Sequence, residues 1–182
     1  DNKGILLLLD EGEAASKVDF YSWINAVQNK PYLVLILDHI EDPHNFGAIL
    51  RSSDIFAVDL VVIPNKRNAR ATDTVFKVSA GAASYVPVSE VANIRDALLR
   101  LKDAGFWIYG ADMNGVPLVK TQFAQRTALV MGSEGAGLAP LIKKSCDELI
   151  SIPQYGHIDS LNVSVAAGIM LYEITCRHIH KL

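Results

Sequence analysis

The chain has 182 residues, half of them hydrophobic and 20% charged, with 17 Lys+Arg against 20 Asp+Glu for a formal net charge of −3. That length fits one globular domain with a sizeable core, and the composition excludes disordered, collagen-like and low-complexity classes. The near balance of charge gives no general support to nucleic-acid binding, so any such partner must be argued from local patches.

Residues 1–30 read as a linker holding one strand, Ile5–Leu9, and a short helix around Phe20–Val27. The run Ile5–Leu9 lacks the basic flank and small-residue cleavage site of a secretory leader, and no apolar run approaches the roughly 20 residues that span a bilayer. Cys146 and Cys176 are far apart with no CxxC, which points to a reducing, cytoplasmic setting. From Leu33 onward, Leu33–Leu37, Leu60–Ile63, Tyr85–Val88, Phe106–Tyr109, Leu129–Met131 and Leu149–Ile152 are short apolar runs bounded by Gly, Pro, Asp or Asn. Such runs predict buried parallel strands.

Helical patterns fall between them. One helix is expected from about Phe46 to Phe56. Val91, Ile94, Leu98 and Leu101, at steps of three and four, predict another, capped by Ser89 and ended by Gly105. A third is expected over Leu138–Ser145. The last, from about Asn162 to His178, is apolar on most faces through Val165, Ile169, Met170, Tyr172 and Ile174, which predicts a buried helix. Small Ala166, Ala167 and Gly168 would let another backbone come close to it. Strand and helix alternation of this kind argues for an α/β fold with a largely parallel sheet flanked by helices.

Ligands of open α/β sheets bind outside the carboxyl ends of strands, and three polar or glycine-bearing segments follow strands here. In the first, Asp38 to Ser53, Asn45 is adequately explained as a helix cap, whereas Arg51 stands among Ala48, Ile49, Leu50 and Ile55, where a guanidinium needs solvent or an anion. The second, Met131 to Leu138, has Gly132, Gly135 and Gly137 around Glu134; it matches neither GxGxxG nor a phosphate loop, but lets a ligand lie against backbone amides. The third, Ile150 to Ser164, ends in Asn162 and Ser164, either of which serves as a cap for the last helix.

Lys66, Arg67 and Arg70, with Lys77 beyond, form a basic run suited to a solvated face or to phosphates. His39, His44 and His157 flank the polar segments without a spaced ligand pair, and Cys176, His178 and His180 fit no zinc pattern, so no metal site is expected.

Taken together, three segments carry a resemblance. Asp42-Pro-His-Asn45-Phe-Gly-Ala-Ile-Leu-Arg51-Ser, Leu129-Val-Met-Gly-Ser-Glu134-Gly-Ala-Gly-Leu138, and Ile152-Pro through Leu161-Asn162-Val-Ser164-Val-Ala resemble, in order and spacing, the three motifs of the SpoU (TrmH-like) RNA ribose 2′-O-methyltransferases of the SPOUT superfamily. The likeness extends over about residues 30–178. It implies a catalytic domain over residues 31–182 with a deep C-terminal trefoil knot, S-adenosylmethionine as cofactor, and a homodimer. It also implies a catalytic cluster of Asn45, Arg51, Glu134, Asn162 and Ser164. Gly132, Ile152 and Leu161 would meet the cofactor mostly through backbone, with Met131, Glu134, Pro153, Asn162 and Ser164 around it. Arg51, Lys66, Arg67 and Arg70 would contact RNA.

The resemblance is nearest to modifiers of a guanosine in 23S rRNA, with tRNA guanosine as the alternative target and a non-catalytic RNA-binding paralogue as the alternative role. The opening residues, which lack an initiator Met, look like the lead into a catalytic domain preceded by an RNA-binding domain. A dinucleotide-dependent dehydrogenase would need a glycine fingerprint after an early strand, and that is missing.

Overall fold

The computed structural model describes residues 17–66, 69, 73–158 and 160–179. Six parallel strands, β1 (Tyr32–Leu37), β2 (Leu60–Pro64), β3 (Val88–Val91), β4 (Trp107–Pro117), β5 (Arg126–Met131) and β6 (Glu148–Ser151), form one sheet in the order β3-β2-β1-β5-β4-β6. The expected strand Ile5–Leu9 lies outside the described residues.

Register fixes which side chains share a face. Leu35 is level with Val61 and with Leu129, so odd residues of β1 and β2 point with Leu129 and Met131 toward one layer of helices. That layer holds α2 (Pro43–Ile55), α3 (Asp73–Val78) and α6 (Val163–Ile174). Val34, Ile36, Leu60, Val62, Ala128 and Val130 point the other way, onto α1 (Phe20–Asn25), α4 (Ile94–Asp103) and α5 (Pro140–Ser145). Every β1 residue is buried, as expected of a central strand covered on both faces. Each fully buried aliphatic side chain contributes roughly 1.5–3 kcal/mol.

Helix ends follow local chemistry and revise several expectations. α2 starts three residues before Phe46, because the Asp42 side chain accepts from the His44 N–H and Pro43 occupies the first turn. Asp42, not Asn45, is therefore the cap, and Asn45 is buried inside the helix. α4 is capped by Asn93, whose side chain accepts from the Arg95 N–H. Gly105 ends it as expected: at φ 82° it lets Phe106 N–H reach the Leu101 carbonyl at 3.0 Å and its own N–H reach Lys102 at 2.8 Å. α5 begins at Pro140 rather than Leu138.

Ser89, expected as a helix cap, lies in β3. The strand starts at Val88 because residues 82–86 close on themselves: Tyr85 and Val86 both donate to the Ala82 carbonyl, which leaves Tyr85 exposed.

β4 runs well past Tyr109 because it bulges. Ala111 and Val116 both pair with Ile150, so residues 112–115 loop out of the sheet. At Gly115 a Cβ would come within 2.5 Å of the Ile150 nitrogen, so only glycine lets the strand rejoin β6. α6 also departs from expectation. Its Val163, Ala167, Met170, Leu171 and Ile174 are buried against α2 and the sheet, but Val165, Ile169 and Tyr172 form an exposed stripe on the opposite face. Apart from Ser164 and Glu173 the helix carries no strongly polar side chain, yet only one side of it is covered within the chain. Among the described residues, no helix is long and apolar enough to cross a membrane.

Candidate functional site

The carboxyl ends of β4, β5 and β6 surround a cavity of about 510 Å³. Its apolar lining includes Met131, Ile152, Leu161 and Met170, and its polar lining includes Asp112, Glu134, Ser151 and Asn162.

The glycine segment after β5 shapes one wall. Ser133 and Gly137 exchange backbone hydrogen bonds, Gly137 N–H to the Ser133 carbonyl at 2.9 Å and Ser133 N–H to the Gly137 carbonyl at 3.2 Å. Gly135 and Gly137 take positive φ (77° and 67°), which closes the turn with Glu134 at its tip. Gly132 has a different reason to be glycine. A Cβ there would lie 2.2 Å from the Gly137 carbonyl carbon, so the two arms of the turn pack backbone against backbone beside the cavity.

Glu134 meets two amides from distant elements. Asn45, on α2, donates through Nδ2 to Glu134 Oε1 and to Asp42 Oδ2. Asn162, the cap of α6, donates through Nδ2 to Asn45 Oδ1 at 3.0 Å and to Glu134 Oε1 at 3.4 Å. Its own Oδ1 accepts from Ser164 N–H at 2.9 Å and Ser164 Oγ at 2.6 Å. Asn45, Glu134, Asn162 and Ser164 thus form one hydrogen-bonded group, drawn from three segments that are far apart in sequence. Asn162 is a cap, as its position suggested, and is also part of this group.

Arg51 stands apart. It lies on α2 six residues beyond Asn45, which turns it by about 120° around the helix and carries it about 9 Å along the axis. It is exposed, and among the described residues no hydrogen bond or ion pair reaches its side chain. Of the five residues in the sequence-based cluster, the chain thus brings Asn45, Glu134, Asn162 and Ser164 together and leaves Arg51 apart. Of the residues expected around the cofactor, Met131, Gly132, Glu134, Ile152, Leu161 and Asn162 line the cavity; Pro153 and Ser164 do not, Pro153 being exposed and Ser164 turned to Asn162. Lys66 is exposed after β2, while Arg67 and Arg70 lie outside the described residues. Among the described residues no group of three His, Cys, Asp or Glu could hold a metal.

A fourth segment escaped the sequence reading. Ala111, Asp112, Met113 and Asn114, in the β4 bulge, also line the cavity. Asp112 Oδ2 pairs with Lys143 Nζ of α5 at 2.6 Å, and Asp112 Oδ1 accepts from the Asn114 N–H at 3.0 Å. Burial alone would raise its pKa; the bonds from Lys143 and Asn114 outweigh that and hold it below the ordinary carboxylate value. Polar residues and a glycine directly after an apolar run were the available signal, the same one that marked the other three segments.

Residues 32–172 match the SpoU rRNA Methylase family. The chain belongs to that family. A Staphylococcus saprophyticus protein named for the TrmH family of tRNA/rRNA methyltransferases is 45% identical over 148 residues, covering 81% of this chain and 59% of that protein. An uncharacterized tRNA/rRNA methyltransferase of Borreliella burgdorferi is 42% identical over 180 residues, covering 96% of this chain and 79% of its own length. The crystal structure of the SpoU methyltransferase AviRb from Streptomyces viridochromogenes, in complex with the cofactor AdoMet, superposes with a TM-score of 0.74 at 27% identity over 82% of this chain and 58% of that one. The family match spans all the motif residues, from Asp42 to Ser164. The chain thus spans about three fifths of the first of these relatives and of the AviRb chain.

Proposed function

We propose that this domain transfers the methyl group of S-adenosylmethionine to a ribose 2′-hydroxyl of RNA, with a guanosine of 23S rRNA as the target. The observation that carries this reading is the group Asn45, Glu134 and Asn162 at the wall of an apolar cavity built on a glycine turn.

The residues present fit the cofactor. The cavity, about 510 Å³, falls inside the range of roughly 300–1,000 Å³ that suits a ligand of this size. Met131, Ile152 and Leu161 offer apolar surface to an adenine, and Gly132, Gly135 and Gly137 put no side chain between a ligand and the backbone at those three positions. Bound there, the cofactor supplies a sulfonium-activated methyl, so the protein has to align and activate a weak oxygen nucleophile.

That task falls to the polar group. Asn45 and Asn162 fix the Glu134 carboxylate, whose free lone pairs can accept from the ribose hydroxyl and hold it in line. Arg51 has the role of base in this family by resemblance, but a guanidinium with a pKa above about 12 is a poor proton acceptor. Its chemistry suits binding the phosphate beside the target ribose and stabilising the emerging alkoxide. Lys66, exposed after β2, and Arg67 and Arg70 of the same basic run in the sequence are further proposed RNA contacts.

The reading includes a homodimer and the family's trefoil knot. The exposed stripe Val165, Ile169 and Tyr172 adjoins α2, whose Ile55 is 65% exposed one helical turn beyond Arg51. Covering this apolar ridge with a second copy would bring Arg51 to a shared interface. Ile169→Glu is expected to give a monomer by sedimentation and to lose methyl transfer while cofactor binding persists.

The decisive test is calorimetry with S-adenosylmethionine and a nicotinamide dinucleotide, followed by nucleoside mass spectrometry of rRNA and tRNA fractions from cells with and without the gene. Saturable binding of the first only, and loss of a 2′-O-methylguanosine from the 23S fraction, are expected. Loss from tRNA instead would move the target; unchanged methylation in every fraction overturns the reading.

A further inference from the structure

The β4 bulge contributes a carboxylate to the cavity that the polar group around Glu134 does not use. Asp112 is held from two directions, by Lys143 Nζ at 2.6 Å and by the Asn114 N–H at 3.0 Å, and its side chain is 15% exposed. The loop that carries it is itself fixed. Gly115 packs against the β6 backbone, and its carbonyl accepts from Ser151 Oγ at 2.9 Å. A side chain so constrained cannot swing away from a ligand in the cavity at little cost.

β4 lies between β5 and β6, so Asp112 reaches the cavity from a different strand end than Glu134, which projects from the turn after β5. Glu134 is engaged by the two asparagines, and the apolar lining between the strand ends suits a base. An acceptor-only group beside a site for an adenine matches the ribose diol of an adenosyl ligand, the same pairing by which a carboxylate after a strand holds adenosine ribose in dinucleotide-binding folds. We infer that Asp112 accepts hydrogen bonds from the adenosyl ribose of the cofactor, and that Lys143, from outside the cavity, is the residue that positions it. This rests on the cavity being the S-adenosylmethionine site proposed above.

Each carboxylate oxygen of Asp112 has one protein donor and retains a second acceptor direction, so both diol hydroxyls can be served without displacing Lys143 or Asn114. The pairing also selects between ligands. A deoxy ligand forgoes a hydrogen bond to a charged acceptor, while Asp112 keeps its bonds from Lys143 and Asn114.

The test is calorimetry of the full chain with S-adenosylhomocysteine and its 2′-deoxy and 3′-deoxy counterparts, with no methyl transfer involved. Wild type should bind the ribose ligand about tenfold or more tightly than at least one deoxy counterpart. Asp112→Asn, close to isosteric, should lose that discrimination and bind all three alike, and Lys143→Met should reduce the ratio while leaving the fold intact by circular dichroism. A structural role alone would weaken all three ligands by the same factor and leave the ratio unchanged, which overturns the inference. Equal binding of all three by wild type also overturns it, while leaving the cofactor site itself standing. Failure of wild type to bind any of them overturns both the inference and the site on which it rests.

Discussion

Asn162 Nδ2 lies 3.0 Å from Asn45 Oδ1, joining the residue that caps the last helix to one buried in the second helix, 117 positions earlier. One side chain thereby serves two ends. Its oxygen satisfies the first free N–H groups of α6, and its amide nitrogen fixes the partner of Glu134. Stability and site geometry are coupled at this position, but they draw on different atoms and can be separated.

Replacing Asn162 by Ala should cost about 1 kcal/mol of unfolding free energy through the lost cap and should also depress methyl transfer. Ser is about as good a cap as Asn but has no amide to reach Asn45, so Asn162→Ser should recover most of the stability and none of the activity. Urea denaturation beside a tritiated-methyl assay reads both. Activity that recovered together with stability would show the amide contact to be incidental.

The Arg51 side chain is exposed and makes no hydrogen bond or ion pair among the described residues, so its removal should change stability by no more than about 0.5 kcal/mol. Arg51→Ala is nevertheless expected to abolish methylation nearly completely, with cofactor affinity kept within a few-fold. Arg51→Lys should remain impaired, because a point charge cannot reproduce a bidentate contact to phosphate. Equal loss of cofactor binding and methylation, by calorimetry and methyl incorporation, would remove Arg51 from the chemistry.

Gly132→Ala should fail for a steric reason. The new Cβ would meet backbone atoms of Gly137 and Leu138 at 2.2–2.4 Å, and backbone cannot rotate away as a flexible side chain could. The turn would have to open, at a cost of about 1–3 kcal/mol, with at least a tenfold loss of cofactor affinity. Gly168 is the comparison: a Cβ there meets only Ser52 Oγ, at 3.6 Å, so Gly168→Ala should leave the monomer's stability close to native in thermal melts.

The contrast between these positions indicates what a sequence discloses. Central strands such as β1 were legible because burial on both faces demands an uninterrupted apolar run, and Gly105 because a helix ending at positive φ calls for glycine. The β4 bulge was not legible, since whether Asp112 to Gly115 pairs or loops out depends on β6, which is distant in sequence. The exposed face of α6 was misread for a related reason. Apolar residues all round a helix record that every side becomes covered, but not whether the chain itself covers it. Asn45 was ambiguous between cap and site until Asp42 was seen to take the cap.

Cys146 offers a pH test of the packing behind the cavity wall. Burial pushes its thiol from 9.0 up to about 12, with Lys102 opposing and Asp147 adding to the shift. Because the folded value is the higher one, stability linked to this group is complete below pH 9 and is lost as pH rises from there toward 12. Native Cys146 should therefore resist iodoacetamide at pH 8 and react readily once the chain is unfolded in guanidinium, as followed by peptide mass spectrometry. Equal rates in both states would mean that the thiol is neither buried nor raised.

Ser89 makes the most direct claim on stability. It was expected to cap a helix; it sits instead in β3, level with Val62 and 1% exposed, and its hydroxyl has no hydrogen-bond partner among the described residues. A buried hydroxyl left unpaired costs about 1–3 kcal/mol, whereas removing one oxygen leaves only a small void. Ser89→Ala should thus raise the unfolding free energy by about 1 kcal/mol, or the melting temperature by about 2–4 °C for a chain of this size. The Ser89→Thr variant sharpens the comparison, since it keeps the unpaired hydroxyl and adds a methyl, and it should gain nothing. If calorimetric melts show Ala destabilised instead, the hydroxyl has a partner in solution, and the interior beside α1 and α4 is wetter than its apolar neighbours imply.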